Sequence, residues 1–85
     1  MIDAIDYVKI IMKKRNMKQV DLLRAMKEKG IPMYKTHISE ALNGRMSCLM
    51  ARKIEIALDL PKYSLVKMTG VKLTEAVIKQ LEKIG

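Results

Sequence analysis

Apolar residues along this chain recur at intervals of three and four rather than two, the spacing that returns side chains to one side of an α-helix. Ala4, Ile5, Val8, Ile11 and Met12 make the first such face, with Asp6, Lys9, Lys13 and Lys14 turned away, and predict a helix over about 2–15. Asp3 and Asp6 suit the positive amino end of its dipole and the Lys13-Lys14-Arg15 run suits the other end, while Asn16 tolerates the left-handed backbone of a helix stop. Leu22, Leu23 and Met26, with Val20 at the margin, predict a second helix over about 18–29. Gly30 ends it because glycine takes a positive φ without a Cβ penalty, and Pro32 excludes helix through residue 31. Ile38, Ala41 and Leu42 are the apolar side of a third helix, about 34–42, stopped by the turn dipeptide Asn43-Gly44.

Ser47 is placed to cap a fourth helix that runs to about 58 on Met50, Ala51, Ile54, Ala57 and Leu58. Asp59 and Pro61 separate it from a short helix at about 62–68 that carries Leu65 and Tyr63, and Thr69-Gly70 breaks the chain again. Thr74 caps a last helix, about 75–83, whose Leu73, Val77, Leu81 and Ile84 form a narrow stripe. No strand-length alternation occurs, so the expected fold class is all-α, a compact bundle of five to six helices.

Composition narrows this picture. Eighty-five residues, 49% of them hydrophobic, support one core, and no linker divides them. The expected organisation is a main domain over 1–70 and, over 71–85, a C-terminal helix that packs on it or mediates dimerisation. Without Trp or Phe, the interior must be built from Ile, Leu, Val, Ala and some of the eight Met. Cys48 is the only cysteine, which leaves no intrachain disulfide and no support for an oxidising compartment. Two acids precede the first lysine, the wrong order for a signal peptide, and no apolar run approaches the ~20 residues of a membrane span. A cytoplasmic protein with no membrane partner is expected.

Charge changes the picture more. Seventeen Lys and Arg against nine Asp and Glu give +8. Residues 9–53 hold twelve bases and three acids, a balance of +9, whereas the flanks together hold five bases and six acids. Such a field draws in polyanions.

Catalysis is poorly provided for. His37 and Cys48 are single residues of their kinds. A metal centre needs three or four ligands, and the isolated glycines form no phosphate loop. The expectation is no enzyme, no cofactor, no metal and no small-molecule substrate.

The second and third helices suggest different chemistry. Two short helices joined by a turn, the second polar on its outer face and flanked by bases, form the arrangement that places a helix in a major groove. Lys35, Thr36, Ser39 and Glu40 can hydrogen-bond to base edges, which leucine or valine could not. Glu40, repelled by phosphate, either accepts from a cytosine amino group or orients Lys35 or Arg45. His37 adjoins Ile38 and is expected to be half-buried; Tyr34 either covers the helix start or touches a phosphate. Lys13, Lys14 and Arg15 read as a solvated helix end with long-range attraction.

Gln19-Val20-Asp21-Leu22, then Gly30-Ile31, then Ile38-Ser39-x-x-x-Asn43-Gly44-Arg45, together resemble the lambda-repressor/Cro (XRE-type) helix-turn-helix family. Met50-Ala51-Arg52-Lys53-Ile54-x-x-Ala57-Leu58-x-Leu60 is similar to that family's fourth helix, so the resemblance spans about residues 5–68. It implies a bundle of lambda-repressor-like type and a sequence-specific regulator of transcription, a repressor of prokaryotic or phage kind, that binds double-stranded DNA as a homodimer. Lys35, Thr36, His37, Ser39 and Glu40 would contact bases; Gln19, Tyr34, Asn43, Gly44 and Arg45 would contact phosphates.

The chain departs from the family pattern twice. Leu23 stands where a small residue is usual, and the stretch from Lys27 to His37 is several residues longer. With Glu40, these features favour the reading that stays open beside it, a small helical protein-binding module such as an anti-repressor, antitoxin or inhibitor.

Overall fold

In a computed structural model that describes residues 2–84, the Asp3 carboxylate accepts the backbone N–H of Asp6 at 2.8 Å and opens α1 (Ala4–Lys14). The outermost positions of the 1–70 and 71–85 division, residues 1 and 85, lie outside the described residues. Then come α2 (Gln19–Glu28), α3 (Lys35–Asn43), α4 (Cys48–Leu58), α5 (Ser64–Met68) and α6 (Glu75–Glu82), six helices and no strand among the described residues. The protein is an all-α bundle. No helix among the described residues is long and apolar enough to cross a membrane.

The stops of α1 and α2 fall where local chemistry allows a left-handed backbone. Asn16 has φ 55°, and Gly30 has φ 77°. After Gly30 the N–H of Ile31 returns to the Met26 carbonyl at 2.9 Å, closing the last turn of α2 while the Ile31 side chain goes into the core. The α2–α3 connection is the segment Lys29 to Tyr34, pinned at its start by that buried isoleucine. Ser47 and Thr74 accept the N–H groups of Met50 and Val77 at 3.1 and 3.3 Å and start α4 and α6.

All six helices feed one core. Val8, Leu22, Met26, Ile38, Ile54, Leu58, Leu65, Val66 and Leu81 are each at most 1% exposed. Burying each such side chain is worth about 1.5–3 kcal/mol. α4 is the hub: it packs on α2, α5 and α6, while α1 packs on α3 and α5. Of the C-terminal stripe, Leu81 is fully buried in the chain's own core, and Leu73 and Val77 pack partly buried against it.

Three basic residues counted in the central charge field are part of the scaffold. Arg15 is not simply a solvated helix end: its Nη1 donates to the Leu58 carbonyl at 2.8 Å, at the carboxyl end of α4. Lys29 meets Asp59 at 3.0 Å beside it. Arg52, buried on α4, donates to Glu55 Oε1 at 3.0 Å. Glu55 itself is completely buried and also accepts the backbone N–H of Tyr63 on Oε1 and those of Leu65 and Val66 on Oε2, each at 2.8 Å. Its carboxylate thus satisfies the amino end of α5 from inside the fold. The short α5 owes its position to this residue.

Candidate nucleic-acid interface

α3 buries Ile38, Ala41 and Leu42 and turns its remaining positions outward. Lys35, Thr36, His37, Glu40 and Asn43 are exposed and Ser39 is half-exposed. Exposure of His37 corrects the expectation that it would be half-buried: it sits on the flank of α3 away from Ile38, edge-on to the Tyr34 ring at 5.6 Å. Tyr34 is 73% exposed, with its ring against His37 in the first turn of α3.

The structure sorts the site residues into three places. Ser39, Glu40, Asn43, Gly44 and Arg45 line one open groove at the carboxyl end of α3. Tyr34 and His37 pair at its amino end. Gln19 lies apart, in a cleft where the end of α1 meets the start of α2, with Lys9, Lys13, Asn16 and Lys18 around it and Leu42 as the contribution of α3. The cleft is basic, and Lys9, Lys13 and Lys18 are all exposed. At its edge the Asp21 carboxylate is occupied, accepting the Lys18 N–H at 2.8 Å and lying 3.6 Å from Arg24.

Asn43 spends its side-chain amide inside its own helix, donating to the Ser39 carbonyl at 3.0 Å and the Ser39 hydroxyl at 3.4 Å. Gly44 has a packing reason to be glycine: a Cβ there would meet the Glu40 carbonyl oxygen at 2.9 Å, and that oxygen accepts the Gly44 N–H. Gly44→Ala is therefore expected to displace the backbone leading into Arg45 and cost about 1–3 kcal/mol, the usual range for overpacking. A thermal melt followed by circular dichroism checks it; an unchanged melt would mean that the turn yields freely.

Glu55 and Arg52 are functional parts of the scaffold that the helical pattern did not single out. A signal was present: Glu55 falls at the spacing of Ala51 and Leu58, on the buried side of α4, where a carboxylate must find donors. Among the described residues, no three His, Cys, Asp or Glu gather as metal ligands would. Set against protein families, curated proteins and solved structures, the chain matches none.

Proposed function

We propose that this protein binds duplex DNA, inserting the outward face of α3 into the major groove, and that it regulates transcription in the cytoplasm as a repressor of helix-turn-helix type. The observation that carries the reading is the split of α3: an apolar side sunk in the core and an opposite side of exposed Lys35, Thr36 and Glu40 with the partly exposed Ser39, ending at exposed Arg45. A groove ~12 Å wide takes one such helix, and those side chains can bond to base edges. The exposed lysines of the Gln19 cleft and Arg45 supply cations for the backbone on either side. One α3 reads few base pairs, so two copies on half-sites about 34 Å apart complete the proposal.

Mixing the protein with random-sequence duplex at low salt and looking for retarded migration tests the reading. Free duplex at micromolar protein would end it. The roles within the site then separate by mutation. Lys35→Ala or Thr36→Ala should cost about 1–3 kcal/mol at particular base pairs and leave other sequences alone. Arg45→Ala should weaken all duplexes alike. If the two kinds of substitution behave identically on a selected site and on random DNA, the division into reading and gripping residues is wrong.

A further inference from the structure

On the outer side of α2 runs a groove of about 300 Å³ lined by Leu23, Lys27, Pro32, Met33 and Tyr34. One wall is α2 and the other is the lengthened α2–α3 connection. Leu23 and Met33 are half-buried, Pro32 is exposed, and the lip continues through Tyr34 (73% exposed) and, one turn before Leu23 on α2, Val20 (50% exposed). Val20, Leu23 and Lys27 stand at i, i+3 and i+7, so they form a single row. Isolated exposed apolar residues are ordinary, but Val20 and Tyr34 edge a groove that Leu23, Pro32 and Met33 line, and together they make a patch that a partner can cover.

The chemistry of the groove narrows its occupant. Duplex DNA gains nothing from Leu23, Pro32 and Met33, because its phosphates need donors. A volume of about 300 Å³ is at the small end of ligand pockets and suits one or two apolar side chains more than a cofactor. A copy of this chain offering its exposed Ile10 or Leu49 would bring Lys13, Lys14 or Lys53 with it, and like charge would oppose Lys27. An apolar strip with acidic flanks meets every feature. Its apolar side chains fill the groove, and its carboxylates face Lys27 in the wall and Lys35 next to Tyr34, within the field of a chain of net charge +8.

We propose that this groove docks an amphipathic helix of a partner protein, apolar at i, i+3 and i+7 and acidic along its edges. The assignment stands independently of duplex binding. Should both hold, the two ligands exclude one another at Tyr34, which belongs to the groove and to the amino end of α3.

The probe is a synthetic helical peptide of about four turns with leucine at those positions and glutamate beside them, against an isomer of the same composition with the leucine row scrambled. Titration into the full-length protein is followed by methyl-resolved NMR. Saturable shifts centred on Val20, Leu23 and Met33 are expected with the patterned peptide. Lys27→Glu, which is exposed and leaves the core untouched, should weaken binding about tenfold, and Leu23→Asp should abolish it. Because Leu23→Asp also touches the core, Lys27→Glu is the deciding variant. Equal binding of the scrambled isomer, shifts centred on α1 or the outer face of α3, or no shift would each overturn the proposal. None of these outcomes depends on whether duplex is bound, so this proposal and the DNA reading fail separately.

Discussion

Glu55→Ala will lower the melting temperature by roughly 15 °C or more, the largest stability loss we expect from a single substitution. The carboxylate has four donors: the Arg52 guanidinium and the N–H groups of Tyr63, Leu65 and Val66. Removing it leaves a buried cation without this partner and three amides without this acceptor. Breaking a buried pair in that way costs about 3–5 kcal/mol, a large part of the ~5–15 kcal/mol that holds a domain folded.

Glu55→Gln is not a rescue. Each carboxylate oxygen faces two donors, so the new NH₂ group must point at donors whichever way it turns. Nor will an apolar pair at 52 and 55 restore stability, although such swaps often succeed for buried ion pairs, because the backbone amides at the start of α5 would still lack their acceptor. Arg52→Leu alone should be milder, since Glu55 keeps its three amides. Melting curves of the four variants, recorded together, give the order directly. A Glu55→Gln protein that melts within about 3 °C of the parent would remove the carboxylate from its proposed place.

Affinity for duplex DNA, if α3 enters the groove as proposed, will fall by roughly two to four orders of magnitude between 50 and 200 mM salt. The estimate takes about four to eight phosphates neutralised per pair of protein copies, each releasing a counterion. It draws on the exposed Lys9, Lys13, Lys18 and Arg45. It leaves out Arg15, Lys29 and Arg52, which are engaged with the chain's own acceptors. A fluorescence-anisotropy titration at several salt concentrations yields the slope. A flat line would mean that phosphates contribute nothing, and the proposed role of the central cations would fall with it.

Helix boundaries are largely legible in the sequence, because they depend on neighbours in the chain. Asn16 and Gly30 stop helices by their own backbone freedom, and Ser47 and Thr74 cap them with hydroxyls three residues from the amides they bind. The outward set on α3 was legible for the same reason, since Ile38, Ala41 and Leu42 define its opposite side.

What the pattern could not convey is partnership across distance. Arg15 and Leu58 are 43 residues apart, and nothing local distinguishes Arg15 from the lysines before it. Glu55 reaches residues eight to eleven positions on only because Asp59 and Tyr63 both take left-handed backbone, at φ 56° and 65°, and fold the chain back over α4. Summed charge therefore overstated the cations left for a ligand. The orientation of His37 was missed because adjacency to a buried residue says little about which side of a helix a ring occupies.

The carboxyl end of α4 has a mechanical consequence. Arg15 ties the end of α1 to the Leu58 carbonyl through a charge-assisted bond in a partly buried setting, and Lys29 adds an exposed tie from the end of α2 to Asp59. Two helices whose junction carries Gln19 are thus anchored to the same third element. The last turn of α1, one wall of the Gln19 cleft, is held by the nearer of the two ties, so whatever seats there meets that wall already secured to the core.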